Sequence, residues 1–329
     1  MDVDDLGVPH LERLWARTAG SSRPEAAGAA EWQADRLVID GLGLGLQDAL
    51  RFLHGGAPSL AEFRAWVLAR NGGAIAPERA AAVNAAVDRA LGRRAADAAS
   101  CALEPTLGEA ELRSFAEDGY VVVRQAVCAE GCSAAAAAIW DYLGMDPDAP
   151  DGWSDASRCE GVMITLAHHA AFEANRNAPR LRAAFAQLWG TSDLQVSIDR
   201  GGFNPPETAD RLFRGAGLHW DTSLKPPIPF QLEGLLYLTD TPPEQGAFRC
   251  VPGFHRRIEA WLAALPLGAN PRTQDLSQEA RPVAGAAGDL VIWRSALPHA
   301  ASPNRGLRPR LVQYITCYPP GQVDDRPWV

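Results

Sequence analysis

The chain has 329 residues, of which 47% are hydrophobic and 22% are charged, and its formal net charge is −9 with a pI of about 5.3. This composition is typical of a globular protein with one large domain or two modest ones. The acidic balance, without any run of lysine or arginine, predicts no nucleic-acid partner, and no apolar stretch is long enough to cross a bilayer.

The six cysteines are scattered along the chain and include no Cys-x-x-Cys pair. That spacing disfavours a structural zinc site and is typical of small buried thiols in a reducing compartment. The first residues, 1–5, are acidic where a secretory signal would be basic and then apolar. We therefore expect a cytoplasmic protein.

Residues 1–105 are rich in alanine and have the periodicity of helices. Ser59 and Glu62 form a capping-box pattern, and the segment 71–73 (Asn-Gly-Gly) ends the helix that follows. Pro77 opens the next helix, and Gly92 stops it. The glycines of segment 41–45 invite a nucleotide-binding interpretation, but the third falls one position early for that pattern, so a connection between helices is favoured.

The next segment predicts an alternation of helix and strand. Residues 106–109 (Thr-Leu-Gly-Glu) have the pattern of a second capping box, with a helix that ends at Gly119. A strand over 120–123 and a helix over 129–143 follow, and 146–160 reads as a long loop rich in Pro, Gly and Asp.

From about residue 190, short apolar or β-branched runs alternate with Pro/Gly turns. Strands are predicted over 194–200, 218–221, 231–238, 247–251, 289–293 and 311–317. Helices first and strands later predict an α+β chain, and the strand spacing favours a double-stranded β-helix (jelly-roll, cupin-like) core with flanking helices and an α-helical N-terminal segment. We expect the domains to span 1–105 and 106–329.

His219 and Asp221 stand two residues apart in the segment 217–222 (Gly-Leu-His-Trp-Asp-Thr). Alternate residues of a strand point to the same face, so the imidazole and the carboxylate could hold one ion. A facial site for non-haem Fe(II) needs two histidines and one carboxylate, and His299 is the candidate for the missing ligand. The tripeptide occurs often by chance, and taken alone it is more commonly a hydrogen-bonded pair on a strand or turn.

Further motifs follow one another along the chain. They are a helix-to-strand opening at 115–122, a strand with an acidic turn at 236–241, Val-Pro-Gly-Phe-His-Arg at 251–256, the segment 299–304, and Arg310 eleven residues after His299. In this order they resemble the phytanoyl-CoA dioxygenase family of Fe(II)/2-oxoglutarate-dependent oxygenases, over roughly residues 115–318.

The resemblance implies roles for these residues. His219, Asp221 and His299 would bind Fe(II), with O2 as a co-substrate. Arg310 would bind the distal carboxylate of 2-oxoglutarate, since a buried dicarboxylate suits the always-charged fork of an arginine. Arg308 is the competing candidate, but it stands two positions out of the family spacing.

Two further contacts to 2-oxoglutarate are expected. Gln195 lies on a predicted strand similar to the one that supplies polar contacts to the co-substrate in the family. Ser302 stands near the position of a family serine, although that position itself is Ala301 here. A shift of one residue on a strand reverses the face, which argues against Ser302.

The implied activity is hydroxylation of an unactivated C–H bond of a small molecule, with release of succinate and CO2. Asp221 argues against a halogenase, in which a small residue replaces the carboxylate. Desaturation, cyclisation or epimerisation with the same cofactors stay open, as does a metal-binding or structural cupin-like barrel without catalysis. Loops 149–177, 201–217 and 222–230 are expected to shape the substrate pocket, and the oligomeric state is left open.

Overall fold

The structure, a computed structural model, describes residues 6–19, 28–95, 104–154 and 158–329. The acidic start at residues 1–5, on which the expected localisation rests, lies outside these ranges. The α-helices of the described residues span His10–Thr18 (α1), Ala29–Gly41 (α2), Leu46–Gly55 (α3), Leu60–Arg70 (α4), Pro77–Ala90 (α5), Glu109–Asp118 (α6), Ala129–Leu143 (α7), Ala170–Arg176 (α8), Pro179–Trp189 (α9) and Ile258–Ala264 (α10). None of them is long and apolar enough to span a membrane.

The strands of the same residues are short. They span Tyr120–Val123 (β1), Cys159–Glu160 (β2), Met163–Ile164 (β3), Gln195–Val196 (β4), Gly201–Asn204 (β5), Leu232–Tyr237 (β6), Phe248–Cys250 (β7), Arg281–Val283 (β8), Leu290–Arg294 (β9), His299–Ala301 (β10), Arg310–Tyr314 (β11) and Cys317–Tyr318 (β12). Single turns of 3-10 helix span Pro150–Ser154, Phe254–Arg256 and Pro271–Thr273.

The chain divides into two units, of which the first contains Met1–Ala102, Trp189–Asp199 and Cys317–Asp325. It combines α1 to α5 with a two-stranded sheet of β4 and β12. Its core is built from apolar side chains of the helices, such as Leu37, Phe63 and Val83. The division into domains at 105/106 stays a prediction.

The start signals of the N-terminal helices are confirmed. The Ser59 hydroxyl accepts from the amide of Glu62, and the Glu62 carboxylate accepts from the amide of Ser59, so the capping box at α4 is complete. Pro77 is the first residue of α5. The glycine-rich run connects α2 to α3, and Gly43 takes a φ of 68° there, which glycine adopts without strain.

The second unit carries two antiparallel sheets. The larger has seven strands in the order β1-β9-β6-β11-β5-β3-β2, and the smaller has three in the order β10-β7-β8. Apolar side chains of both sheets share one core; those of the larger include Leu235 and Val291, and those of the smaller include Phe248 and Val283. The α+β class and the jelly-roll core are therefore confirmed.

Side chains alternate between the two faces of each strand, and this alternation determines which residues point into the core. On β6, Leu235 and Tyr237 belong to the shared core, whereas Gly234 lies close to Phe185 of α9 on the other face. Tyr237 ties the sheets together, because its hydroxyl donates to Val283 at 2.6 Å and accepts from the Phe248 amide at 2.9 Å. The inner face is thus set by residues 233, 235 and 237 of β6.

One helix start was predicted wrongly. Helix α6 begins at Glu109 after Gly108, and the carboxylate of Glu111 accepts from the Gly108 amide at 2.8 Å. The amide of Thr106 is bound instead by the Gln187 side chain at 3.1 Å. A partner distant in sequence therefore overrides the local capping pattern.

The strand bounds also differ from the prediction. Only two residues of 194–200 form a strand (β4), and β5 covers the glycine-rich residues 201–204, which had been assigned to a loop. The segment 218–221 forms no ladder, because His219 pairs with His299 in an isolated bridge. Strands β2, β3, β8 and β10 were not predicted, since each has only two or three residues.

Candidate metal centre

Three side chains predicted as ligands lie together in the second unit. Asp221 places one carboxylate oxygen 3.8 Å from Nε2 of His219 and the other 3.7 Å from Nε2 of His299. One ligand atom from each of the three residues lies within 4.8 Å of the other two. This grouping could hold one metal ion, and the mixture of two imidazoles and a carboxylate suits non-haem iron.

The backbone orients both imidazoles. Nδ1 of His219 lies 2.8 Å from the carbonyl oxygen of Gly217, and Nδ1 of His299 lies 3.1 Å from that of Leu297. A carbonyl only accepts, so Nδ1 carries the proton in each ring and Nε2 keeps its lone pair for a ligand. Paired backbone bonds of 3.0 and 2.9 Å between His219 and His299 fix the two residues side by side.

The protonation of the three groups is coupled through charge and burial. Burial and the neighbouring His299 lower the pKa of His219, which favours the neutral ring that a metal needs. A hydrogen bond from His299 lowers the pKa of Asp221. Burial opposes the charged form of His299, but the carboxylates of Glu233 and Asp221 raise its pKa.

Arg272 holds the backbone on both sides of Asp221. Its guanidinium donates to the carbonyl oxygens of Trp220 at 2.8 Å and Thr222 at 2.7 Å. The same group donates to the carbonyl of Val329 at 2.9 Å. The carboxylate ligand therefore sits on a peptide segment that is fixed at its two ends.

Arg310 is the most deeply buried charge of this unit. It opens β11 opposite Asn204, and Val312, two residues on, belongs to the inner core. The side chain is 0% exposed, and among the described residues none of its three guanidinium nitrogens has a hydrogen-bond partner. Arg308 is exposed and bonds the carbonyl of Pro147 at 3.0 Å, so the choice between the two arginines favours Arg310.

The other two residues expected at the co-substrate lie in different surroundings. Ser302 follows β10 and is 8% exposed, and its carbonyl accepts from the side-chain amide of Asn204 at 3.0 Å. Gln195 belongs to the first unit, where β4 pairs with β12, and its side-chain amide donates to the carbonyl of Val196 at 3.2 Å. Their roles toward 2-oxoglutarate stay predictions.

Glu233 was missed by the sequence reasoning. It lies on the inner face of β6, and its carboxylate is 3.5 Å from Nε2 of His299. Burial raises the pKa of Glu233 to about 7. A signal was present, because Glu233 is a lone charge in an apolar run, at the positions that alternate with Leu235 and Tyr237.

Two other histidines and a tryptophan of this unit make structural contacts. His255 lies in a 3-10 turn with Nε2 3.2 Å from the carbonyl of Ala116, and His169 caps α8. Trp293 packs 5.0 Å from the His299 ring and walls the site. Arg176 is buried, since it is 1% exposed, and its guanidinium donates to the Ala167 carbonyl.

Comparison with known proteins gives one family. The sequence model of the family described as phytanoyl-CoA dioxygenase (PhyH) matches residues 115–312, a range that contains all three candidate ligands and Arg310. A protein of Dictyostelium discoideum, provisionally named a phytanoyl-CoA dioxygenase, is 21% identical over 262 residues, which cover 64% of this chain and 75% of that protein.

Solved structures similar to this chain include three proteins that are each 20% identical to it. The carbocyclase SnoK of nogalamycin biosynthesis has a TM-score of 0.44 over 66% of this chain and 90% of its own. The epimerase SnoN of the same biosynthesis has a TM-score of 0.47 over 64% and 82%. HygX of Streptomyces hygroscopicus, solved with nickel and 2-oxoglutarate, has a TM-score of 0.46 over 65% and 88%.

Proposed function

Because this chain belongs to the phytanoyl-CoA dioxygenase family of Fe(II)/2-oxoglutarate-dependent oxygenases, we propose that it hydroxylates an unactivated C–H bond of a small-molecule substrate. The cofactors are Fe(II), 2-oxoglutarate and O2, and the co-products are succinate and CO2. His219, Asp221 and His299 are the metal ligands, and Arg310 binds the co-substrate.

The observation that carries this proposal is the unpaired guanidinium of Arg310. A buried charge without a partner costs several kcal/mol, on the order given for isolated ions in proteins, so it persists where a ligand completes it. A carboxylate fits the planar fork of arginine with two parallel hydrogen bonds. The same unit brings the three ligand residues within 4.8 Å of one another, so its donor set fits a divalent iron and a dicarboxylate.

The protein's part in the reaction is to fix and shield the reacting groups. His219 and His299 present Nε2 because backbone carbonyls hold Nδ1, and Asp221 is fixed by its pinned backbone. The rings of Trp293 and Phe248 lie against His299 and keep water from its inner side. When bound, the iron and 2-oxoglutarate supply the oxidising power for O2 chemistry.

The same ligand set also serves desaturation, cyclisation and epimerisation. Hydroxylation is preferred here because it needs no group beyond the metal, the co-substrate and a C–H bond held close to them. The presence of Asp221 argues against halogenation, since its carboxylate occupies the place that a halide would need. Mass analysis separates these outcomes, because hydroxylation adds one oxygen atom and desaturation removes two hydrogens.

Anaerobic titration of the purified protein with Fe(II) and 2-oxoglutarate tests the proposal. We expect a weak visible absorption band in the wild type and its loss in His219→Ala. The band should be retained in Arg308→Ala, which alters an exposed arginine two residues from Arg310. Succinate release over a panel of small molecules then identifies the substrate class. A wild type without the band, or a His219→Ala protein that keeps it, would contradict the assignment.

A further inference from the structure

Glu233 differs from the other buried carboxylates in what surrounds it. The carboxylate of Asp289 pairs with Arg124 at 2.5 Å and accepts from the amides of Gln125 at 3.1 Å and Ala286 at 2.9 Å. In the described part of the chain, the one cation-forming side chain within ion-pair distance of Glu233 is His299. A side chain that is 17% exposed has thus no permanent positive partner.

The contact with His299 is lost when a metal is bound. Nε2 of His299, which faces Glu233, is the atom left free for the metal, because Nδ1 is held by the Leu297 carbonyl. A ligating imidazole is neutral and has no proton on the ligating nitrogen. Its bond to Glu233 therefore cannot coexist with the metal. The carboxylate then keeps the neutral hydrogen bond from Ser295 but has no cationic partner.

Charge balance indicates the sign of that donor. The formal charges of a divalent ion, Asp221, a dicarboxylate co-substrate and Arg310 cancel one another. In its ionised form Glu233 adds one negative charge, and no cationic side chain of the described chain neutralises it beside the metal. A buried charge of this kind is stabilised by an opposite charge brought by a ligand.

We propose that Glu233 binds a cationic nitrogen of the primary substrate, an amine held beside the metal ligand His299. This inference rests on the proposed function and names its substrate class as basic small molecules. Glu233 is then the residue that determines which substrates enter.

The competing role for Glu233 is that of a fourth metal ligand. That arrangement would occupy a position that 2-oxoglutarate or O2 needs, because a facial triad leaves three positions open. The two roles separate in Glu233→Gln, which keeps the size and removes the charge. If Glu233 is a metal ligand, Glu233→Gln should lower the metal affinity. If Glu233 contacts the substrate, the same substitution should leave the metal affinity unaltered.

The test measures binding to the protein loaded with Ni(II) and 2-oxoglutarate, which is stable in air and does not turn over. The probes are two sets of equal shape, benzylamine with benzyl alcohol and benzoate, and hexylamine with hexanol and hexanoate. Calorimetry or the visible spectrum of the metal reports binding to the wild type, Glu233→Gln and Glu233→Asp. The matched control is Glu279→Gln, which removes an exposed carboxylate paired with Arg257.

We expect at least one amine to bind the wild type about tenfold or more tightly than its matched alcohol and acid, a difference of the size an ion pair gives. This preference should vanish in Glu233→Gln, persist in part in Glu233→Asp, and stay intact in Glu279→Gln. Affinity for Ni(II) and 2-oxoglutarate should change less than about threefold in all variants.

Three results would overturn the inference. The first is an alcohol or acid that binds as tightly as the amine, or the absence of binding by every probe. The second is an amine preference that survives in Glu233→Gln. The third is a large loss of Ni(II) affinity in that variant, which would identify a metal ligand. If the wild type binds neither Ni(II) nor 2-oxoglutarate, the proposed function fails as well.

Discussion

Buried charges of the first unit contrast with two buried charges of the barrel unit, Arg310 and Glu233. In the first unit, Asp35 is bound by His10 at 2.9 Å and by Arg17, and Asp40 accepts from the Tyr318 hydroxyl at 2.6 Å. In the barrel, Arg310 has no hydrogen-bond partner among the described residues, and the one cation-forming side chain beside Glu233 is the metal-ligand candidate His299.

The difference separates charges that stabilise the fold through a partner in the protein from charges whose partner would be a bound ligand. Removing one member of a buried pair leaves the other uncompensated and destabilises the protein. An unpaired buried charge already destabilises the folded protein. Removing it should therefore stabilise the fold and weaken ligand binding. The two classes of residue should therefore respond oppositely to substitution.

The largest effect is expected for the paired charge of the first unit. Asp35→Ala leaves His10 and Arg17 without their shared carboxylate, and we expect the free energy of unfolding to fall by about 3 kcal/mol. Denaturant unfolding followed by circular dichroism measures it. Glu12→Ala, which breaks a 3.6 Å pair of an exposed glutamate with Arg64, should cost less than about 0.5 kcal/mol. Equal losses in both variants would remove the basis of the comparison.

The unpaired arginine of the barrel should show the opposite response. Arg310→Met keeps an unbranched but shorter side chain and removes the charge, so we expect 2-oxoglutarate affinity to fall about a hundredfold or more. The free energy of unfolding without ligand should stay level or rise by about 1 kcal/mol. Calorimetric titration and denaturant unfolding provide the two values. A stability loss as large as that of Asp35→Ala would show that Arg310 has a structural role.

The sequence predicted well wherever a strong local signal coincided with the tertiary environment. Residues 120–123 and 129–143 have the predicted bounds, because apolar periodicity and the glycines at 119 and 144 mark them. The order of His219, Asp221, His299 and Arg310 was likewise visible in the motifs. The match over residues 115–312 confirms the family that the motifs indicated, and the roles of the four residues stay predictions.

The rest depends on contacts between residues distant in sequence. The glycine-rich β5 has little intrinsic preference for a strand and forms one through pairing with β11 and β3. Whether Glu233 and Arg310 have partners of opposite charge depends on the side chains that the fold brings around them in the barrel. Arg272 could not be found from the sequence, since its two carbonyl acceptors are about fifty residues away.

A smaller effect should distinguish Arg272 from Arg326, a second arginine that binds carbonyls of the same loop. Arg272 binds the carbonyls that flank Asp221, whereas Arg326 binds those of Ser223 at 2.9 Å and Lys225 at 2.6 Å. Groups that orient a ligand typically contribute about 10- to 100-fold in metal affinity. Ni(II) affinity should therefore fall by that factor in Arg272→Ala and by less than about threefold in Arg326→Ala.

The readout for this pair combines metal affinity with thermal unfolding. Both variants lose bonds to the same loop, so a similar fall in melting temperature is expected. Only a positioning role predicts that metal affinity separates them. Arg272→Lys, which keeps the charge and loses the fork, should recover part of the affinity. Equal metal affinities in Arg272→Ala and Arg326→Ala would leave Arg272 with a structural role alone.

The smallest effect compares two identical patterns, one in each unit. Ser59 and Thr106 each precede a glutamate by three residues, but only the Ser59 side chain accepts from the amide of that glutamate. Ser59→Ala should lower the free energy of unfolding by about 1 kcal/mol, the usual value of an N-cap, and Thr106→Ala by much less. Bonds from Ser59 lower the pKa of Glu62, so the contribution of this carboxylate is present at neutral pH and is lost in acid. Denaturant unfolding at neutral and acidic pH should therefore show the difference between the variants shrinking as Glu62 is protonated. An equal loss of stability in Ser59→Ala and Thr106→Ala would mean that the pattern itself, and not its hydrogen bonds, stabilises the helix start.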